Sequence, residues 1–249
     1  MKYIFDIDGT LSFDGIQIDP IITAAIEKLI AANNEVIFAS ARPIRDLLPM
    51  IPDFSAHKLI GANGAMISIE KNIEVVSGIN SQDFEFLKKL IQTYNLDYIA
   101  DSSWNYASKI TAPCLIERMI DPNQLAQRIK LNEIIDPIKT IFVNLENQLQ
   151  KELMELVSQQ TKLAVIGLSG EGTVDITATG INKFSTLDRL GVDQYIAFGN
   201  DRNDLEMLDG AIRSIWINSK PSLKYLGDQY DIVCEPDPQT IADLITSFI

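Results

Sequence analysis

The chain has 249 residues, of which 46% are hydrophobic and 22% are charged, and its formal net charge is −13 with a pI near 4.5. This length and composition are typical of a soluble globular protein with one large domain or two modest ones. The acidic balance disfavours a nucleic-acid backbone or an anionic membrane as the main partner, and no apolar run is long enough to cross a bilayer.

Two further features concern the cellular compartment. Cys114 and Cys234 are too few and too far apart for a disulfide framework. The chain opens on an apolar, β-prone run, so a signal peptide is not indicated. We therefore expect a cytoplasmic protein.

The first part of the chain alternates strands and helices, as in a parallel α/β sheet. The predicted elements are a strand at 3–5, a loop at 11–20, a helix at 21–32, a strand at 35–39, a helix at 44–50, a strand at 58–60, a loop at 61–65 and a hairpin at 66–76.

The pattern then changes to hairpins mixed with helices, which favours an open-faced α+β layer. Its predicted elements are helices at 82–94, 122–130 and 147–160, and strands at 98–100, 105–110, 139–145, 162–168 and 173–176. Alternation returns with helices at 182–190, 204–209 and 238–248 and strands at 195–198 and 214–217. We predict a Rossmann-like, doubly wound parallel sheet core formed by residues 1–78 and 178–249, with an inserted α+β domain at 79–177.

An acidic pair follows the first predicted strand. Asp6 and Asp8 are two residues apart, so on extended backbone their side chains point the same way and share one site. Two carboxylates that close repel each other and require a cation or a shared proton. Taken alone, Asp6 to Gly9 is equally consistent with an acidic turn.

Three other polar clusters stand at strand ends or helix starts, where ligands bind in open α/β sheets. Ser40-Ala41-Arg42 could form an anion site at the start of a helix, although a turn serine and a solvated Arg42 are the more ordinary interpretation. Lys183 opens a helix, which the helix dipole disfavours unless an anion is near. The alternative for Lys183 is an exposed lysine.

The fourth cluster is the oxygen-rich segment 199–204. Its acids and amides suit a hard cation such as Mg²⁺. Asn203 and Glu206 also have the spacing of a capping box, and Asp204 would favour a helix N-terminus whatever the function.

The order of the four clusters is more specific than any one of them. Asp-x-Asp-Gly-Thr on the first strand, Ser after the second, a late Lys and then Gly-x-x-x-Asn-Asp resembles the haloacid dehalogenase-like (HAD) hydrolase superfamily. Asn63-Gly64-Ala65, the insertion after the third strand and the 203–208 run resemble its Cof-type branch of sugar-phosphate phosphatases, with a class IIB cap.

That resemblance implies roles for the residues. Asp6 would attack phosphorus and form an aspartyl-phosphate, and Asp8 would protonate the leaving oxygen and later deprotonate water. Mg²⁺ would bridge Asp6 and the phosphate, with the main-chain carbonyl of Asp8 also on the metal. Ser40 and Lys183 would complete the catalytic set by holding the phosphoryl oxygens. The implied phosphate or substrate contacts are Gly9, Thr10, Ser40, Ala41, Arg42, Lys183 and Asn203.

One position departs from the family pattern. The family usually has Gly-Asp where this chain has Gly199-Asn200, and the acid appears one residue later as Asp201. Our hypothesis is that Asn200 keeps the metal position as a neutral ligand, with Asp204 adding charge indirectly or through water. The alternative is that Asp201 takes over the position through a shifted loop. The metal-site prediction is thus Asp6, Asp8, Asn200 and Asp204, with Asp201 as the alternative.

The resulting expectation is a Mg²⁺-dependent phosphatase of small phosphorylated metabolites, with 79–177 as a cap and no nucleic-acid or membrane partner. Two alternatives stay open at this stage. A phosphosugar mutase would pass the phosphoryl group to a second hydroxyl, and a phospho-accepting or phosphate-binding protein would not turn over at all.

Overall fold

The computed structural model describes residues 1–168 and 172–249. Two sheets organise it, and the predicted α/β core with an inserted α+β layer is confirmed. The elements before the insertion are β1 (Lys2–Phe5), α1 (Pro20–Ala31), β2 (Glu35–Ala39), α2 (Ile44–Leu47), β3 (Lys58–Gly61), β4 (Met66–Ile69) and β5 (Asn72–Val75).

The remaining elements follow in two groups. The insertion contains α3 (Ser81–Thr93), β6 (Asp97–Asp101), β7 (Tyr106–Lys109), β8 (Lys139–Val143), α4 (Asn147–Gln160), β9 (Ala164–Leu168) and β10 (Thr173–Thr177). The chain then returns through α5 (Lys183–Arg189), β11 (Tyr195–Gly199), α6 (Leu205–Asp209), β12 (Arg213–Ile217), β13 (Ile232–Cys234) and α7 (Pro238–Thr246).

The larger sheet has the order β13-β12-β11-β1-β2-β3-β4-β5. Its first six strands are parallel, and β4 and β5 add an antiparallel hairpin at one edge. The strand β1 lies between β11 and β2, so its Ile4 and Phe5 are fully buried. The carboxyl ends of β1, β2 and β11 therefore meet at one edge of the sheet.

Local sequence explains how the flanking helices begin. Pro20 stands at the first turn of α1, where its missing N–H costs no hydrogen bond, and the Asp19 side chain accepts from the Ile21 N–H. The apolar residues of α1 recur at helical spacing and pack into the core of the larger sheet together with α7.

The smaller sheet is antiparallel throughout, with the order β7-β6-β8-β10-β9. Its strands all lie inside the predicted insertion. One face packs on α3 and α4 and forms a separate apolar core that includes Phe142, Val174 and Ile176. Among the described residues, none of the helices has both the length and the apolar character that crossing a bilayer requires.

The predicted helix at 122–130 is wrong. In the structure this stretch forms turns, because its backbone N–H groups bond outside a helical pattern. The Asp121 carboxylate accepts from the N–H groups of Leu125 and Ala126, and the N–H of Ile129 donates to the carbonyl of Tyr106 on β7. These bonds replace the i→i−4 ladder that a helix needs.

The remaining differences are smaller. The predicted helix 44–50 ends as a 3₁₀ turn at Leu48–Met50, where Pro49 provides no N–H for the ladder. The strand β13 and the 3₁₀ segment Pro221–Gln229 were not predicted. The three residues of β13 are too short a run to signal a strand without knowledge of the neighbouring β12.

A buried ion cluster joins the inserted domain to the core. Arg45 on α2 forms two hydrogen bonds with the carboxylate of Asp46, at 2.7 Å each, and one of 2.9 Å with Asp101 on β6. Arg45 also lies over the ring of Tyr106, 4.7 Å from its centroid. Burial raises the pKa of Asp101 to about 6, although the nearby Arg45 charge acts in the opposite direction.

We predict that Arg45→Ala lowers the free energy of unfolding by about 3–5 kcal/mol, because Asp46 and Asp101 then remain buried without their cation. Chemical denaturation measures the loss. Lys58→Ala is the control, since Lys58 pairs with Glu35 at a half-exposed position, where an ion pair contributes about 1 kcal/mol or less. Equal effects of the two substitutions would contradict the prediction.

Candidate active site

The four polar clusters predicted from the sequence converge at the carboxyl edge of the larger sheet. Asp6 follows β1, Ser40 follows β2, Asn200 follows β11, and Lys183 is the first residue of α5. All four side chains are buried. Residues as far apart in the chain as Asp6 and Lys183 are in direct contact here.

Lys183 lies between two carboxylates. Its Nζ donates to Oδ1 of Asp6 and to Oδ1 of Asp204, at 2.6 Å each. The ammonium is fully buried, so the alternative of an exposed lysine is wrong. Burial alone would lower the pKa of Lys183, but the charges of Asp204 and Asp6 outweigh burial and raise the pKa overall. Lys183 therefore stays charged.

Asp6 is buried among polar side chains. Burial, followed by the charge of Asp204, raises the pKa of Asp6 to about 7, although Lys183 acts to lower it. The hydroxyl of Thr10 donates to Oδ2 of Asp6 at 2.8 Å. Both oxygens of the carboxylate are thus held at fixed positions by protein donors.

Asp204 fixes the loop after β11. Its Oδ2 accepts from the backbone N–H groups of Asn200 and Asp201, at 3.0 and 3.1 Å, while Oδ1 accepts from Lys183. A Cβ on Gly199 would lie 2.6 Å from the Cβ of Asp204, so only glycine fits there. Since both oxygens of Asp204 are occupied, this geometry favours an indirect effect of its charge on a nearby cation.

Asp8 is held by Arg42. The guanidinium donates from Nε to Oδ2 at 2.8 Å and from Nη2 to Oδ1 at 2.6 Å, and Nη2 also donates to the carbonyl of Gly15. The Asp8 side chain is 37% exposed, whereas that of Arg42 is 9% exposed. The expectation that Arg42 is a solvated surface residue is wrong. Its partner lies 34 positions away in the chain, beyond the reach of local patterns.

Ser40 forms the turn that follows β2. Its Oγ accepts from the N–H of Arg42 at 3.1 Å, and its carbonyl accepts from the N–H of Asn63. The interpretation of Ser40 as a turn residue therefore describes its local structure. This turn also fixes the Ser40 hydroxyl at the same sheet edge as Asp6.

Asn63 was not among the predicted site residues, although its motif contributed to the family resemblance. Its side chain accepts from Nδ2 of Asn203 at 2.9 Å and donates to Oδ2 of Asp175 on β10 at 3.1 Å. The next residue, Gly64, has φ +103°, and a Cβ there would lie 2.3 Å from the carbonyl oxygen of Asn182. This close approach positions the start of α5, and hence Lys183.

The carboxylate of Asp6, the main-chain carbonyl of Asp8 and the amide of Asn200 meet at one point, where a metal ion could bind. With its oxygen facing this point, the amide of Asn200 lies 3.1 Å from Oδ2 of Asp6 and 3.1 Å from the carbonyl oxygen of Asp8. Neighbouring oxygens around octahedral Mg²⁺ lie about 2.9 Å apart. A Cβ on Gly9 (φ +82°) would lie 2.2 Å from Nδ2 of Asn200, so this approach requires glycine.

The same amide has a second orientation. Rotated by 180°, its NH₂ group donates to the Asp8 carbonyl, to Oδ2 of Asp6 and to Thr10 Oγ1, and its oxygen accepts from Ser219. Asn200 can therefore provide an oxygen to a cation or two N–H groups to the same acceptors. A carboxylate at this position could do only the former. Among the described residues, no group of three or more His, Cys, Asp or Glu side chains forms a metal site.

Asp201 faces a different set of partners. Its Oδ2 accepts from Nζ of Lys220 at 2.5 Å, and its Oδ1 accepts from the N–H of Arg202 at 2.6 Å. The geometry thus places Asn200, and not Asp201, against Asp6 and the Asp8 carbonyl. No sequence motif pointed to Lys220 as the partner of Asp201.

Comparison with known proteins identifies the family. The family model of haloacid dehalogenase-like hydrolases matches residues 3–227. The chain belongs to this family. The predicted resemblance and the predicted enzyme class, a hydrolase of the HAD type, are confirmed.

Among curated proteins, the HMP-PP phosphatase of Serratia proteamaculans is 22% identical over 264 residues, covering 98% of this chain and 94% of that protein. Among solved structures, a haloacid dehalogenase-like hydrolase from B. subtilis matches with a TM-score of 0.84 at 17% identity, covering 100% of both chains. The HAD subclass IIB sugar phosphatase BT4131 matches with a TM-score of 0.79 at 19% identity, covering 99% of this chain and 98% of that one. These two structures show that the fold is shared.

We predict that Asp204→Asn lowers the free energy of unfolding by about 3 kcal/mol, because it removes one of the two charges that compensate buried Lys183. Chemical denaturation is the measurement, and Asp188→Asn, at an exposed position on α5, is the control. A loss below about 1 kcal/mol, the usual range for an exposed ion pair, would show that Asp204 does not stabilise the site.

Proposed function

We propose that this protein is a Mg²⁺-dependent phosphatase that hydrolyses small phosphorylated metabolites, sugar phosphates foremost, through an aspartyl-phosphate on Asp6. The observation that carries this proposal is the division of the acidic pair. Asp6 is buried against Lys183 and Thr10, whereas Asp8 is partly exposed and held by Arg42. Two carboxylates in such different environments suit two different chemical roles.

In the first step, an Asp6 carboxylate oxygen attacks phosphorus and the bond from phosphorus to the leaving oxygen breaks. Asp8 gives its proton to that leaving oxygen. In the second step, Asp8 removes a proton from a water molecule, which attacks phosphorus and releases inorganic phosphate from Asp6. The bidentate contact with Arg42 holds the ionised Asp8 that the second step requires. In the first step, the protonated Asp8 would keep the bond from Arg42 to its carbonyl oxygen.

Lys183 and the neighbouring loops would hold the phosphoryl oxygens during both steps. Lys183 remains charged because of its two acidic partners, and charged donors stabilise the negative charge that develops on a transferring phosphoryl group. Ser40 stands after β2, and Asn203 stands next to Asn63. We propose both as further phosphate contacts.

Mg²⁺ would be held by Oδ2 of Asp6, the main-chain carbonyl of Asp8 and the oxygen of Asn200. When bound, the ion supplies positive charge between the anionic nucleophile and the phosphate. It would also favour the ionised form of Asp6, because burial and the charge of Asp204 raise the pKa of this carboxyl to about 7. Because Asn200 is neutral, we expect weaker metal binding than with a carboxylate at that position.

We predict that Asp6→Asn abolishes phosphate release while the protein stays folded, because an amide is not a nucleophile for phosphorus. The assay is Mg²⁺-dependent release of phosphate from p-nitrophenyl phosphate and from a panel of phosphorylated sugars, nucleotides and cofactors. Asp53→Asn, at an exposed position, is the matched control. If Asp6→Asn keeps most of the activity, Asp6 is not the nucleophile. If the parent protein releases no phosphate from any substrate at saturating Mg²⁺, the phosphatase proposal fails.

We predict that Asn200→Asp lowers the Mg²⁺ concentration for half-maximal rate by about 10-fold, because metal affinity rises with the number of charged ligands. The measurement is initial rate against Mg²⁺ concentration. Asp201→Asn discriminates between the two neighbouring positions, and its half-maximal concentration should stay near that of the parent protein. If the Mg²⁺ concentration for half-maximal rate rises in Asp201→Asn and stays unchanged in Asn200→Asp, the metal binds Asp201 and the assignment of Asn200 is wrong.

A further inference from the structure

The amide of Asn200 can change its chemistry by a single rotation. Asn200 is almost fully buried, and its backbone N–H donates to Oδ2 of Asp204 at 3.0 Å, so the position of the residue is fixed. A rotation of the amide by 180° still exchanges its oxygen and its NH₂ group. Only the orientation with the oxygen toward Asp6 could serve a cation, so the group on the far side of the amide affects whether Asn200 can bind metal.

The group on the far side is the hydroxyl of Ser219. With the amide oxygen toward Asp6, Nδ2 of Asn200 donates to Oγ of Ser219 at 2.8 Å. Ser219 lies two residues beyond the end of β12, and its N–H donates to the carbonyl of Ile217 at 2.9 Å. The N–H of Asn218 donates to the carbonyl of Cys234 on β13, also at 2.9 Å. The ends of β12 and β13 therefore hold the Ser219 hydroxyl in place.

The NH₂ group of Asn200 is enclosed on this side. A Cβ on Gly9 would lie 2.2 Å from Nδ2 of Asn200 and 3.0 Å from Oγ of Ser219, so the backbone of Gly9 packs against both atoms. Within residues 1–168 and 172–249, Ser219 is the acceptor that Nδ2 reaches in this orientation. A buried N–H without an acceptor is more costly than a carbonyl oxygen with a free lone pair. The orientation that could serve a cation therefore depends on the Ser219 hydroxyl.

The rotated amide depends on that hydroxyl less. Its NH₂ group donates to the Asp8 carbonyl and to Oδ2 of Asp6, and Ser219 contacts only its oxygen. Without the hydroxyl, the rotated amide keeps its N–H bonds and leaves only an oxygen without a donor. Loss of the hydroxyl therefore favours the rotated amide, whose N–H groups point to the place that a cation would take.

We propose that Ser219 is a positioning residue that makes the neutral Asn200 a metal ligand. Its Oγ accepts from Nδ2 and so keeps the amide oxygen toward Asp6 and the Asp8 carbonyl. The inference rests on the proposed function and deepens it, since the Mg²⁺ site belongs to that function. An aspartate at position 200 would not need this hydroxyl, because either of its two oxygens can face the metal. The Asn200–Ser219 pair thus takes the place of a single carboxylate.

The test is Ser219→Ala, with Mg²⁺ binding to the substrate-free protein measured by calorimetry. We expect Kd for Mg²⁺ to rise by about 3- to 10-fold, the range that one neutral hydrogen bond contributes. The physical reason is that a smaller fraction of the protein then holds the amide in the binding orientation. The matched control is Ser222→Ala, at an exposed serine three residues further on, which should leave Kd unchanged.

A second pair of variants separates orientation of the amide from general support of the loop. In the Asn200→Asp background, Ser219→Ala should raise Kd for Mg²⁺ by less than about 2-fold, because a carboxylate presents an oxygen in either orientation. An equal rise in both backgrounds would overturn the proposal, since Ser219 would then support the loop whatever residue stands at position 200. An unchanged Kd in Ser219→Ala alone would overturn it as well.

Phosphate release is measured separately on the same variants. We expect the Mg²⁺ concentration for half-maximal release from p-nitrophenyl phosphate to rise in Ser219→Ala by the same factor as Kd. If the parent protein binds Mg²⁺ but releases no phosphate from any substrate, the proposed function has failed, and the Kd values still decide the role of Ser219. If the parent protein binds no Mg²⁺, the inference about Ser219 is wrong.

Discussion

The ammonium group of Lys183 lies between the carboxylates of Asp6 and Asp204, 2.6 Å from each. Removing one partner of a buried ion pair costs about 3–5 kcal/mol, so the three side chains are strongly coupled. Asp204 in turn holds the backbone of Asn200, and Asn200 faces Asp6. The loop after β11, the start of α5 and the end of β1 therefore depend on one set of charges.

This coupling has a chemical consequence. When both carboxylates are ionised, the three groups carry a net charge of −1 in a buried position, and burial together with Asp204 raises the pKa of Asp6. A buried site with net negative charge favours an added cation. Because Asn200 is neutral, the site carries less negative charge than it would with an aspartate at this position. An asparagine amide can offer an oxygen to a cation or N–H groups to neighbouring acceptors.

The contact between the two sheets is also charged. Arg45 reaches Asp101 on the inserted domain, and Lys139 on that domain reaches the Ala41 carbonyl of the core. Because buried ion pairs depend steeply on geometry, these contacts fix how the smaller sheet lies over the loops that contain Ala41 and Asn63. The position of Asp175 beside Asn63 follows from this arrangement.

The sequence by itself determined the α/β core, the inserted layer, the family and the order of the four polar clusters, since these depend on local patterns such as Asp6-x-Asp8 and on residues at strand ends. Only the tertiary structure showed which side chains form hydrogen bonds and ion pairs with one another. It showed that Arg42 bonds Asp8, that Lys183 is buried, that Asp201 turns to Lys220 and that 122–130 is not a helix. The physical reason is that hydrogen bonds and ion pairs between distant segments form only after the strands have been placed side by side, and no spacing along the chain records them.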